Sequence, residues 1–214
     1  MINTLLTIFL QEPVKKGGYG FTPQQNAAFT FCLWFAIIAA QIYGHYLNDR
    51  IPLWLTRRHG GIWKPEYRLY TLWLPALVLL PVGLGIFGAA LEYHLHYMVL
   101  AVGAFLIAFA AILSVPVAVN YVAECFKEYA AETGTIMNLY RLLFGLIVPF
   151  FITPWERAVS IGWVFGMAAF FSIGSFGLLV VLMWKGHDIR QLSFKSVAST
   201  EEGARVTQTE SLDM

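Results

Sequence analysis

Five apolar stretches of bilayer length decide what this chain can become. Their approximate limits are 26–47, 69–91, 97–122, 136–154 and 159–184. A helix rising 1.5 Å per residue needs about 20 residues to cross a hydrocarbon core. Four of the stretches hold no charged side chain, and 136–154 holds only Arg141, near its start, where a long side chain snorkels toward the headgroups. Lipid offers backbone amides no partner, so each stretch must be helical. The expected fold class is all-α integral membrane, with five full transmembrane helices. Composition agrees: 13% of residues are charged, where a soluble domain carries about 25%. Too few charges exist to coat a surface facing water.

Other classes fall away on the same counts. A net charge of +1 leaves no basic surplus for nucleic acid. Cys32 and Cys125 make neither a disulfide framework nor a metal spacing. Segment 1–10 has no Lys or Arg ahead of its apolar run, so it does not read as a secretory signal. Segment 1–11 is too short to span and reads as the stub of a sixth helix, with 12–25 an extracytoplasmic loop. From Ser193 onward the chain is rich in Ser, Thr, Glu and Gln, which predicts a disordered tail over 193–214.

Local signals refine the spans. Thr22-Pro23-Gln24-Gln25 offers a capping hydroxyl, a proline at the first helical position and a Gln three residues on. Pro75 and Pro81 each delete a backbone hydrogen bond and predict kinks in the second span. Gly162 and Gly166 form a GxxxG pair that permits close helix contact, a pattern that also arises by chance. Arg50, Arg57, Arg58, Lys64 and Arg68 cluster within 48–68, so this segment is expected to be a cytoplasmic loop. The C-terminus then lies in the cytoplasm as well; Lys15 and Lys16 alone oppose the trend.

Several motifs invite chemistry and are better explained otherwise. Gly83-Leu84-Gly85-Ile86-Phe87-Gly88 matches the dinucleotide fingerprint literally, but it sits inside an apolar span with no preceding strand, so its glycines serve packing. Glu92, His94 and His96 alternate rather than share a helical face, which favours interfacial polar residues over a metal site. Glu124, Glu128 and Glu132 recur every fourth residue along one face; they mark a solvated helix end or pair with neighbouring cations. No nucleophile–base set appears, so no enzyme, cofactor or metal is expected.

The most informative stretch is 44–69. It reads Gly44-His45-Tyr46-Leu47-Asn48-Asp49-Arg50, then Arg57-Arg58-His59-Gly60-Gly61, then Lys64-Pro65-Glu66-Tyr67-Arg68-Leu69. An acid at the C-terminal end of its own helix is disfavoured by the dipole, so Asp49 gains by facing the N-terminus of a neighbour. Such a charge–dipole latch forms in one conformation and opens in another, as a gate requires. Pro65 and Glu66 suit the first turn of the second span.

This stretch resembles the cytoplasmic loop between the eighth and ninth helices of major facilitator superfamily transporters, especially fungal members similar to drug/proton antiporters. Asp49-Arg50, Arg57-Arg58 and Pro65-Glu66-x-Arg68-Leu69 carry the match, and Asn138-Leu139-Tyr140-Arg141 with Pro149-Phe150 look like the family's eleventh helix. The similarity covers about 3–192. It implies a C-terminal half that works by alternating access on a small solute and lacks its N-terminal six-helix half. Five spans cannot fill a twelve-helix plan, so the sequence is expected to be a fragment or a truncated product.

The resemblance also implies site residues. Asp49, Arg50, Arg57, Arg58, Glu66 and Arg68 would form the gating loop, with Glu124 and Arg141 as charges at cytoplasmic helix ends. Trp34, Gln41, Tyr43, Ser114, Asn120, Tyr121 and Asn138 are the candidate cavity-lining groups, suited to solutes through cation–π contact and hydrogen bonds. No carboxylate lies at mid-membrane, so a proton-coupling acid would belong to the missing half. The alternative reading is a non-transporting helical membrane fragment, or a regulator that associates with other membrane helices. The expected location is a multi-pass one, the plasma membrane first.

Overall fold

A computed structural model describes residues 10–11, 19–58, 60–61, 63–126 and 129–212, with side chains described except at 148, 149, 151–154, 156–158 and 187–212. Of the stub expected over 1–11, residues 1–9 lie outside the described residues, as do Lys15, Lys16, His59, Lys127 and Glu128. Every regular element described is helical. They are α1 (Pro23–Arg58), α2 (Glu66–Glu92), α3 (Tyr97–Cys125), α4 (Ala130–Ala158) and α5 (Ile161–Leu212).

The helix signals written in the sequence act where they stand. At the start of α1 the Gln25 amide donates to Thr22 Oγ1 at 3.3 Å, and the Thr22 amide donates to Gln25 Oε1 at 3.0 Å, a reciprocal capping box. Pro75 has no N–H to give, and α2 absorbs the loss by changing pitch. It runs as α-helix over Glu66–Leu69, 3₁₀-helix over Tyr70–Leu72 and π-helix over Trp73–Leu79, then returns to α-helix at Leu80–Glu92. The widened turn lets the Leu80 amide reach back to the Pro75 carbonyl. Pro81 follows at the first turn of the regular segment, where its missing N–H costs least.

Four helices among the described residues are long and apolar enough to cross a membrane: Pro23–Arg58, Glu66–Glu92, Tyr97–Cys125 and Ile161–Gly186. The helix that holds 136–154 is 29 residues long and begins at Ala130, earlier than expected. Two expectations change. Most of the segment read as a loop is helix, because α1 continues through Pro52 to Arg58; Pro52 leaves the Asn48 carbonyl without its helical N–H but does not end the helix. At the other end, α5 runs on to Leu212 where the polar composition predicts a disordered tail; Glu, Ala, Gln and Arg there are adequate helix formers.

Packing centres on α2 and α3. Toward one end Phe87, Ala90 and Leu91 of α2 pack with Leu100, Ala104 and Ile107 of α3, Leu33 and Ala36 of α1, and Val164 and Phe165 of α5. Toward the other end Leu69, Leu72, Val117, Tyr121, Cys125, Phe176 and Met183 form a second core. Glycines set two of the contacts. A Cβ on Gly88 would lie 2.7 Å from Phe165 Cβ, and one on Gly103 2.9 Å from the Phe87 backbone nitrogen. The G-x-G-x-x-G glycines 83 and 88 thus serve helix contact, while Gly85 faces open space. Only the first member of the GxxxG pair is used: Gly162 meets Glu92, and Gly166 meets nothing within 4 Å.

Candidate functional site

Two helix ends carry charges of the wrong sign for their own dipoles. Arg68 lies in the first turn of α2, where the dipole is positive, and Glu124 in the last turn of α3, where it is negative. The fold lays these ends side by side. Arg68 Nε donates to Glu124 Oε1 at 2.7 Å, with the side chains 20% and 23% exposed. The Arg68 guanidinium also lies 5.5 Å from the centre of the Trp63 ring.

Beside this pair opens a cleft of about 260 Å³ between α1, the start of α2, and α3. Gln41, His45 and Asp49 line it from α1, Arg68 from α2 and Asn120 from α3. Residues 41, 45 and 49 repeat every fourth position, so one helical face carries all three. Gly44 lets that face approach α3: a Cβ there would stand 3.2 Å from Leu113 Cδ2. The cleft therefore joins four of the sequence-predicted residues, Gln41, Asp49, Arg68 and Asn120. His45 was missed by sequence reasoning, although its spacing from Gln41 and Asp49 was the available signal.

The remaining gating-loop residues lie elsewhere. Arg50 sits 5.7 Å over the Tyr46 ring and Arg58 5.0 Å over Trp54, each one helical turn away along exposed α1; Arg57 is exposed at the same helix end. Glu66 is buried, 6% exposed, at the joint of α2, α3 and α5. A Cβ built on Gly186 would come within 3.1 Å of Tyr121 Oη and 3.5 Å of Glu66 Oε1. A charge–dipole arrangement of the kind argued for Asp49 is made at the opposite end of the bundle: Glu92 Oε2 accepts the Gly162 amide at 2.9 Å, at the N-terminus of α5.

The cavity candidates divide by what packing leaves free. Tyr121 is buried in the second core and does not face the cleft. Ser114 turns its hydroxyl to the Ala110 carbonyl of its own helix at 2.8 Å. The Tyr43 ring rests against Phe109 with centroids 5.7 Å apart. Trp34 is exposed on the outer side of α1. Asn138 and Arg141 line a separate, larger cavity between α3 and α4. Arg141 is not a helix-end charge: it is the twelfth residue of Ala130–Ala158, about 16 Å along the axis from the first. Beyond the bundle, Tyr19 donates from its hydroxyl to the carbonyls of Ala90 at 2.9 Å and Leu95 at 2.8 Å, closing the end of α2; burial raises its pKa above the usual 10.0.

Long apolar helices with polar clefts between them define a multi-pass helical membrane protein. Comparison with known proteins takes the description further. The chain is 32% identical over 149 residues to the MFS-type transporter oryF of Aspergillus oryzae, covering 70% of this chain and 31% of that protein. It is 26% identical over 192 residues to an uncharacterized transporter of Schizosaccharomyces pombe, covering 90% of this chain and 39% of the other. With the efflux pump radE of Floropilus chiversii it shares 29% identity over 195 residues, covering 89% of this chain and 34% of the pump. The resemblance to fungal major facilitator transporters holds over most of the chain. The chain spans roughly a third of the length of these relatives, between 31% and 39%. No family model matches, and no solved structure matches.

Proposed function

We propose that the chain is the C-terminal half of a secondary transporter, carrying a small solute across the membrane by alternating access against a second six-helix bundle. It would contribute five spans and the stub of a sixth, α4 being the span beyond the four that meet the length and hydropathy requirement. The positive cluster 50–68 argues for a cytoplasmic inner end and a cytoplasmic C-terminus, with the plasma membrane as the first location to test.

One observation carries the reading: a polar cleft that holds Asp49 beside an ion-paired Arg68, at the joint where three helices meet. A gate needs a charge pair that two conformations arrange differently. Arg68, held by Glu124 and bordering the same cleft as Asp49, has a second carboxylate within its surroundings to which a rocking motion could transfer it. Outward, α1 presents Phe31, Trp34, Phe35 and Ile38 and α4 presents Leu142, Phe144 and Ile147, all exposed. In a bilayer these faces meet lipid or the second bundle at no cost.

The test is expression of the gene's whole reading frame in yeast lacking its own efflux pumps. Changed accumulation of at least one compound in a panel of small organic solutes is the expected result. Identical accumulation of every compound, with the protein present at the membrane, would overturn the reading.

A further inference from the structure

A cavity of about 630 Å³ lies between α3 and α4. Val115, Ala118 and Val119 wall one side and Gly134, Asn138 and Arg141 the other. Small-molecule sites run from about 300 to 1,000 Å³, so this one suits a compact organic solute. Its room comes from small side chains: a Cβ on Gly134 would touch nothing within 4 Å.

Arg141 gives the cavity its character. It shares the cavity wall with Val115, which lies ten positions before the end of α3 at Cys125, about 15 Å along the axis. The Arg141 Cα is about 16 Å along the axis from the start of α4, and its guanidinium reaches back one turn toward that end, to Asn138. A cation so placed in a span is costly without a counter-charge. No carboxylate pairs with Arg141 among the described residues; its Nη2 donates to Asn138 Oδ1 at 3.0 Å. That bond steadies one edge of the guanidinium and leaves the other N–H groups to donate, in a geometry that matches a carboxylate.

We propose that this cavity binds an organic anion, a carboxylate on a compact apolar body. Arg141 grips the carboxylate, Asn138 holds the guanidinium in place, and Val115 and Val119 cover the apolar part. The proposal deepens the transport reading by naming a substrate class, and it rests on that reading's premise that α4 lies in the bilayer.

The probe is radiolabelled 1-naphthoate, measured at equilibrium on the chain in phosphatidylcholine nanodiscs against empty discs. Saturable binding is expected, weakened at least about tenfold in Arg141→Gln, the loss of a charge-assisted contact. Arg141→Lys retains part of it, because the charge remains and the forked geometry does not. Gly134→Leu fills the space, keeps the arginine and should abolish binding, which covers the case in which Arg141→Gln fails to fold. Unchanged binding in Gly134→Leu or in a folded Arg141→Gln overturns the proposal, as does equal binding of 1-naphthylmethylammonium. Loss of naphthoate binding when phosphatidylglycerol replaces part of the lipid assigns the site to a lipid headgroup and overturns the solute. Since no gradient is involved, a chain that binds naphthoate in a protein that moves nothing would sink the transport reading alone.

Discussion

Arg68 and Glu124 meet at 2.7 Å, tying the first turn of α2 to the last turn of α3, and each would be unfavourable at its own helix end without the other. Glu124→Gln removes the charge from one side of a half-buried pair and is expected to cost about 1–3 kcal/mol. The double variant Arg68→Gln/Glu124→Gln should lose less than the two single losses added together. Thermal unfolding in detergent measures all four species; strict additivity would deny the coupling.

Asp49 lines the same cleft as Arg68 and belongs to the face that also carries Gln41 and His45. Asp49→Asn in the complete protein should lower transport about fivefold or more, the size of a coupling near 1 kcal/mol, while membrane insertion stays normal. Initial rates of solute movement, normalised to protein at the membrane, are the measurement. Full activity would remove Asp49 from the gate.

Gly88 and Gly166 are both glycines within apolar helices, yet substitution should separate them. A Cβ at Gly88 meets Phe165 Cβ at 2.7 Å, so Gly88→Ala should destabilise by about 1–3 kcal/mol. At Gly166 nothing stands within 4 Å, and Gly166→Ala should be neutral or slightly stabilising. Equal melting temperatures for the two variants would contradict this packing.

Tyr19 closes the end of α2 through the carbonyls of Ala90 and Leu95. Tyr19→Phe should cost about 1 kcal/mol at neutral pH. Because burial raises the phenol's pKa in the folded state, its contribution is complete below the usual 10.0 and is lost as pH rises through the raised value. The gap in melting temperature between wild type and Tyr19→Phe should therefore shrink above about pH 10; a gap that widens would reverse the sign.

Lys64 is exposed in the turn between α1 and α2. A cysteine at that position should react with an impermeant maleimide only after cells are permeabilised. Labelling in intact cells would invert the orientation.

The sequence alone was enough for the medium and the all-helical class, though not for where α1 and α5 end. Uncharged apolar runs of bilayer length have no stable alternative to helix in lipid. Pro75 predicted a kink, and the change of pitch around it was not foreseen; local rules sufficed for Thr22 with Gln25, whose capping box closes within a single turn. The resemblance carried by 44–69 pointed to the relatives for the same reason: it is a local string of residues. What the chain does with distant residues was not written locally. That Arg68 is the cation Glu124 finds, that Tyr121 is packed away while His45 faces a cleft, and that Arg141 shares a cavity with Val115 of α3 all depend on which helix faces meet. Only tertiary packing decides that, because a helix fixes the direction of its own side chains and says nothing about the neighbour they will find.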